Sequence, residues 1–123
     1  MMQNEPLNTL LERYQALPFF NQCDVSNANS LAVDGESILH KAVTMKDVTG
    51  IKTLLSNEAN PNSLDALGET PLHQAAFHNN LEIAEILIRS GAATTITNQY
   101  GETAADLAKA HKSQTLFNFL NQL

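Results

Sequence analysis

A chain of 123 residues is long enough for one domain to bury a core without disulfides or a structural metal. Hydrophobic residues make up 43% and charged residues 16%, which suits a folded chain, and the net charge of −6 argues against nucleic acid and anionic membranes, which call for Lys/Arg clusters. Cys23 is the only cysteine, which excludes an internal disulfide or a Cys-cluster zinc site and fits a reducing compartment, and no apolar run approaches the roughly 18 residues of a membrane span.

The N-terminal MMQNEPLNTL has neither a basic nor an apolar leader region, so no secretory signal is expected there. Leu7, Leu10, Leu11 and Tyr14 follow with helical spacing, and Leu17-Pro18-Phe19-Phe20 breaks the helix before re-entering apolar structure. Residues 5–23 are therefore read as a helical cap, followed by a loop through Asn27-Ala-Asn-Ser30. So many large apolar side chains do not suit a disordered tail.

A repeat then begins. Gly35, Gly68 and Gly101 recur every 33 residues, each followed by glutamate (Glu36, Glu69, Glu102) and then by Ser37, Thr70 or Thr103. His40 and His73 share one register, as do Ala42, Ala75 and Ala108. The stretch Val48–Leu55 aligns with Leu81–Ile88, and Leu116, Phe117, Phe119 and Leu120 close the third copy. Ser37, Thr70 and Thr103 are helix N-caps, and Pro71 sits at a first helical position where its missing N–H costs nothing. The spacing predicts helix pairs near 38–45/48–57, 71–78/81–90 and 104–111/114–122. The helix from Leu81 to Ile88 is apolar around most of its girth and needs covering on two sides, which stacked repeats supply. Gly91 follows it, suited to a left-handed C-terminal cap. Glu58 occupies the matching position in the first repeat, where a left-handed glutamate would cost on the order of 1 kcal/mol, so that helix is expected to end differently, at Asn57. Gly50, inside the second helix of that repeat, is expected to weaken it by about 1 kcal/mol relative to alanine.

The stretch GETPLHQAAFHNNLEIAEILIRSGA at 68–92, the looser GESILHKAVTMKDVTGIKTLLSNEANPN at 35–62 and the terminal GETAADLAKAHKSQTLFNFL at 101–120 resemble the ankyrin repeat family. The resemblance implies an all-α ankyrin-repeat solenoid of stacked helix-turn-helix units with a helical N-terminal cap. The expected division is a cap at 1–33, repeats at 34–66 and 67–99, and a capping repeat at 100–123. It also implies that His40 and His73 hydrogen-bond within their own turn and to a neighbouring repeat. The family pattern specifies fold closely and function hardly at all.

Catalytic chemistry finds little support. His78 and His111 share one register, but two imidazoles without further ligands do not make a metal site. Cys23 has no histidine near it in sequence, and there is no phosphate-binding glycine motif. No catalytic, cofactor-binding or metal residue is assigned, and no cofactor is expected. The tips carry a different signal. Asp34, Glu36, Asp65, Glu69 and Glu102 recur along one edge, and Thr44/Met45, Phe77/His78 and Ala110/His111 occupy positions that resemble the family's variable contact sites. Leu67, Phe77 and Tyr100 are large apolar groups where framework packing does not require them, although Leu67 and Tyr100 could simply pack on adjacent turns.

The expected function is non-enzymatic binding of a protein partner on a concave, acid-edged face. The contact set is Asp34, Glu36, Met45, Leu67, Glu69, Phe77, His78, Tyr100, Glu102 and His111, and a basic surface is the natural complement. An inhibitor that occludes a partner enzyme's cleft is the first alternative, and a metal- or thiol-dependent enzyme the second. Neither nucleic acid, membrane nor small-molecule substrate is expected as a partner. A monomeric, cytoplasmic protein is expected, with a secreted, host-directed bacterial protein as the alternative location.

Overall fold

The computed structural model describes residues 5–123; positions 1–4 of the expected cap lie outside the described residues. The described residues form seven α-helices and one short 3₁₀ turn, with no strand beyond an isolated bridge between Leu31 and Ser37. The chain divides into two compact units, Met1–Asn60 and Pro61–Leu123, with the boundary inside the segment 34–66 read as the first repeat.

In the first unit, α1 (Leu7–Gln15) turns Leu10, Leu11 and Tyr14 inward. Its N-cap, Pro6, has no side chain to cap with, so tertiary contacts hold the helix start: Thr53 Oγ1 donates to the Glu5 carbonyl at 3.1 Å. The Gln15 amide then organises the following turn, donating to the carbonyls of Phe20 (3.1 Å) and Cys23 (2.9 Å) and accepting the Val25 N–H (3.1 Å). Within that turn, Pro18–Phe20 is 3₁₀ and Phe20 is fully buried against Tyr14. The helix pair of this unit is α2 (Ile38–Thr44) and α3 (Val48–Ser56), and α3 carries both α2 and α1.

The second unit pairs α4 (Pro71–Phe77) with α5 (Leu81–Arg89), and α6 (Ala104–Ala110) with α7 (Gln114–Asn121); α4 packs along α6. These bounds lie within a residue of those the spacing predicts. Ile83, Ala84 and Leu87 are buried, but Leu81, Ile86 and Ile88 are only half-buried, so the apolar girth of α5 is not wholly covered.

The first helix of each pair begins with the same device. The hydroxyls of Ser37, Thr70 and Thr103 accept the backbone N–H of His40, His73 and Asp106, whose side chains accept the cap's own N–H in return. In the second unit the His73 ring uses its other nitrogen as well: Nδ1 accepts from Thr70, and Nε2 lies 2.9 Å from the Glu102 carbonyl and donates to it. One buried imidazole thus joins the start of α4 to the turn before α6.

Two expectations are corrected. Helix α3 does end at Asn57, yet Glu58 still takes the left-handed conformation (φ 69°). Its N–H reaches the Leu55 carbonyl at 3.3 Å and the Ala59 N–H reaches Leu54 at 3.0 Å, the paired bonds that Gly91 and Ala92 make with Ile88 and Leu87. These bonds and the burial of Ala59 offset the strain at Glu58. Gly50, for its part, is no mere weak helix residue: a Cβ there would stand 2.2 Å from Asp47 Oδ2, in space the carboxylate fills.

Candidate functional site

Two turns of the second unit build the site. In the first, Asp65 Oδ1 accepts the N–H groups of Leu67 and Glu69, both at 2.9 Å. In the second, Asn98 Oδ1 accepts those of Tyr100 (2.9 Å) and Glu102 (3.0 Å). Each side chain thereby substitutes for a backbone acceptor and closes its turn. Gly68 (φ 75°) supplies the left-handed step of the first turn, and the Gln99 N–H donates to the Leu67 carbonyl at 2.9 Å, holding the two turns side by side.

That pairing brings Leu67 and Tyr100 to one surface, 42% and 68% exposed. Phe77, the last residue of α4, is 51% exposed. Its ring meets His111, the C-cap of α6, edge to face at 4.7 Å and His78 at 5.2 Å. Leu67, Glu69, Gln74, Phe77, Tyr100, Glu102, Leu107, Ala110 and His111 together line one groove of about 430 Å³. Six of the ten residues expected to meet a partner therefore lie in one groove, and His78 flanks it.

Its charged wall rests on Asn98, which is only 5% exposed. With Oδ1 occupied by two N–H groups, the amide turns Nδ2 toward Glu69 Oε2 (2.9 Å) and Glu102 Oε1 (3.0 Å). The opposite orientation would set an acceptor against two carboxylates. Asn98 was not among the residues expected at the site. Its signal was available in the sequence, since it stands 33 positions after Asp65.

The other three residues belong to the first unit. Met45, the C-cap of α2, is 40% exposed. Asp34 and Glu36 both pair with Lys41, at 2.7 and 3.2 Å, and the same ammonium lies 4.7 Å above the Phe19 ring. Burial raises the Asp34 carboxyl pKa, but the Lys41 hydrogen bond and the Glu36 N–H outweigh it and hold the carboxyl below its usual range. Burial likewise lowers the Lys41 pKa, and the two carboxylates more than reverse that. These acids are partly neutralised, unlike Glu102, which has no ion pair among the described residues.

No group of three or more His, Cys, Asp or Glu among the described residues is placed to hold a metal ion. No helix among them is long and apolar enough to cross a membrane. A family model for ankyrin repeats, in three copies, matches residues 5–98 and 39–122, taking in the N-terminal segment whose sequence departs furthest from the repeat. No curated protein matches the chain.

Proposed function

Since the chain belongs to the ankyrin repeat family, whose members are generally non-enzymatic protein–protein interaction modules, we propose that it binds a protein partner through the groove of the second unit. The observation that carries this reading is the meeting of Leu67, Phe77 and Tyr100, three exposed apolar side chains from two turns and a helix end, in one groove beside Glu69 and Glu102. Apolar anchors beside polar groups are the usual composition of an interface hot spot. The backbone beneath them is held by the paired turns and the His73 link, so little ordering is needed on binding. Acidic side chains at the groove's edge favour a basic partner surface and speed its approach.

The test is affinity capture from native lysate with the wild type beside Phe77→Ala and Tyr100→Ala, followed by kinetics on the captured partner. Phe77→Ala should raise the dissociation rate roughly 10- to 100-fold, and Glu102→Gln should slow association and flatten its salt dependence. A partner that binds both alanine variants with wild-type affinity would defeat the reading. An activity assay on the captured partner distinguishes an adaptor from an inhibitor.

A further inference from the structure

We propose that Asn98 is a positioning residue for the partner: its buried side-chain amide ties the turn that carries Leu67 to the turn that carries Tyr100 and fixes how those two side chains stand across the groove. The inference rests on the reading above and names the residue beneath the surface on which binding there depends.

The two turns are built alike, bond for bond. The Asp65 N–H donates to the Glu69 carbonyl at 3.0 Å, and the Asp65 carbonyl accepts the Gly68 N–H at 3.0 Å. Asn98 makes the same two bonds with Glu102 and Gly101, both at 2.9 Å. The side-chain Oδ1 of each accepts two further N–H groups within its turn, at 2.9 to 3.0 Å. Closing the turn therefore needs an acceptor oxygen and no donor, and aspartate at 65 supplies it as well as asparagine does at 98. What Asn98 adds is Nδ2. Its hydrogens go to Glu69 Oε2 in the other turn, at 2.9 Å, and to Glu102 Oε1 in its own, at 3.0 Å. The two glutamates act here as struts within the fold, and no ligand is assigned to them.

The bond from the Gln99 N–H to the Leu67 carbonyl, 2.9 Å, attaches the turns at one point. The backbones abut beside it, where a Cβ at Gly68 would stand 3.5 Å from the Gln99 nitrogen and 3.6 Å from the Asn98 Cα. The Nδ2 bond to Glu69 is a second point of attachment, and two points fix a rotation that one leaves free. Leu67 supplies the carbonyl of the first bond, and the Tyr100 N–H is held by the Asn98 side chain, so both exposed groups stand directly on these links. Asn98 itself is only 5% exposed and acts on a partner through them. A carboxylate at position 98 would keep the turn and reverse the link, because an acceptor would then face two carboxylates at hydrogen-bond distance.

The test combines amide hydrogen exchange on the free chain with peptide binding. In Asn98→Asp the Gln99 N–H, which lies between the turns, should exchange about tenfold faster, while the Tyr100 and Glu102 N–H groups, within the turn, keep their protection. Loss of protection at all three would show that residue 98 merely closes its own turn, and would overturn the assignment. Twelve-residue peptides selected from a phage-displayed random library on the intact chain, and weakened by Phe77→Ala, serve as binding probes. Asn98→Asp should weaken them about tenfold. Glu69→Gln introduced into that variant offers the new carboxylate an amide donor, which restores a bond between the turns with its polarity reversed, and should recover most of the lost affinity. Phe77-dependent peptides that Asn98→Asp leaves unaffected, or a loss that Glu69→Gln does not recover, would overturn the positioning role and leave the protein-binding groove standing. Selection of no peptide that Phe77→Ala weakens would count against both.

Discussion

The hydroxyl of Tyr14 donates to Asp47 Oδ2 at 2.8 Å, joining α1 to the start of α3. The same carboxylate accepts the Gly50 N–H at 3.1 Å as the helix cap, and Arg13, itself paired with Glu5, at 2.8 Å. Burial raises the pKa of the Asp47 carboxyl, but Arg13, Tyr14 and the Gly50 N–H outweigh it and hold the group below the usual aspartate range. Burial first, and then the adjacent carboxylate, push the Tyr14 phenol well above its ordinary range.

A depressed carboxyl pKa makes the first unit sensitive to acid. The native state favours the charged form, so the contribution of Asp47 is complete above the unfolded value near 4 and is lost as pH falls through the lower native value. Asp47→Asn retains a good cap and removes this titration. Urea unfolding from about pH 7 down to pH 3 should show a shallower loss of stability in the variant than in the wild type. Parallel profiles would show that the carboxylate's charge contributes nothing.

Gly50→Ala should destabilise the protein by about 1–3 kcal/mol, although helix propensity alone favours alanine. The new Cβ would meet Asp47 Oδ2 at 2.2 Å and Cγ at 2.7 Å, and the carboxylate cannot move aside without releasing its donors. In an Asp47→Ala background the obstacle is gone, and the same substitution should stabilise by up to about 1 kcal/mol. Chemical denaturation of the four proteins tests the change of sign.

Glu58→Gly should stabilise by about 1 kcal/mol, because it relieves a left-handed side-chain-bearing residue while keeping every backbone bond of the cap. Gly91→Ala is the reciprocal experiment. A Cβ at Gly91 would meet nothing within 4 Å, so any loss there reports backbone strain alone. Opposite shifts of the urea midpoint are expected from the two variants.

Ser113 occupies the cap position of α7 that Asp47 and Asn80 fill for α3 and α5, yet its hydroxyl is buried without a hydrogen-bond partner among the described residues. Ser113→Ala should therefore leave stability unchanged or raise it by up to about 1–3 kcal/mol, since no bond is lost and an unsatisfied buried hydroxyl is removed. Asn80→Ala should cost about 1 kcal/mol, because Asn80 Oδ1 accepts the Ile83 N–H at 3.0 Å. Equal losses in thermal unfolding would contradict this account of the caps.

What the sequence determined by itself is what depends on neighbours along the chain. Helix ends lie where Ser37, Thr70 and Thr103 can cap, turns lie where glycine permits a left-handed step, and the 33-residue recurrence repeats both. Such features involve residues only a few positions apart, so composition and spacing suffice to place them. Tertiary structure decided everything that depends on side chains meeting across a repeat. It brought Arg13 and Tyr14 onto the Asp47 carboxylate and set Lys41, already paired with Asp34 and Glu36, over the Phe19 ring. It also gathered Glu69 and Glu102 around Asn98 and set Leu67 and Tyr100 in one groove with Phe77 and His111. The physical reason is directional. A hydrogen bond between residues 29 or 34 positions apart requires distances and rotamers that a repeat period does not specify, and those are settled only when the helices pack.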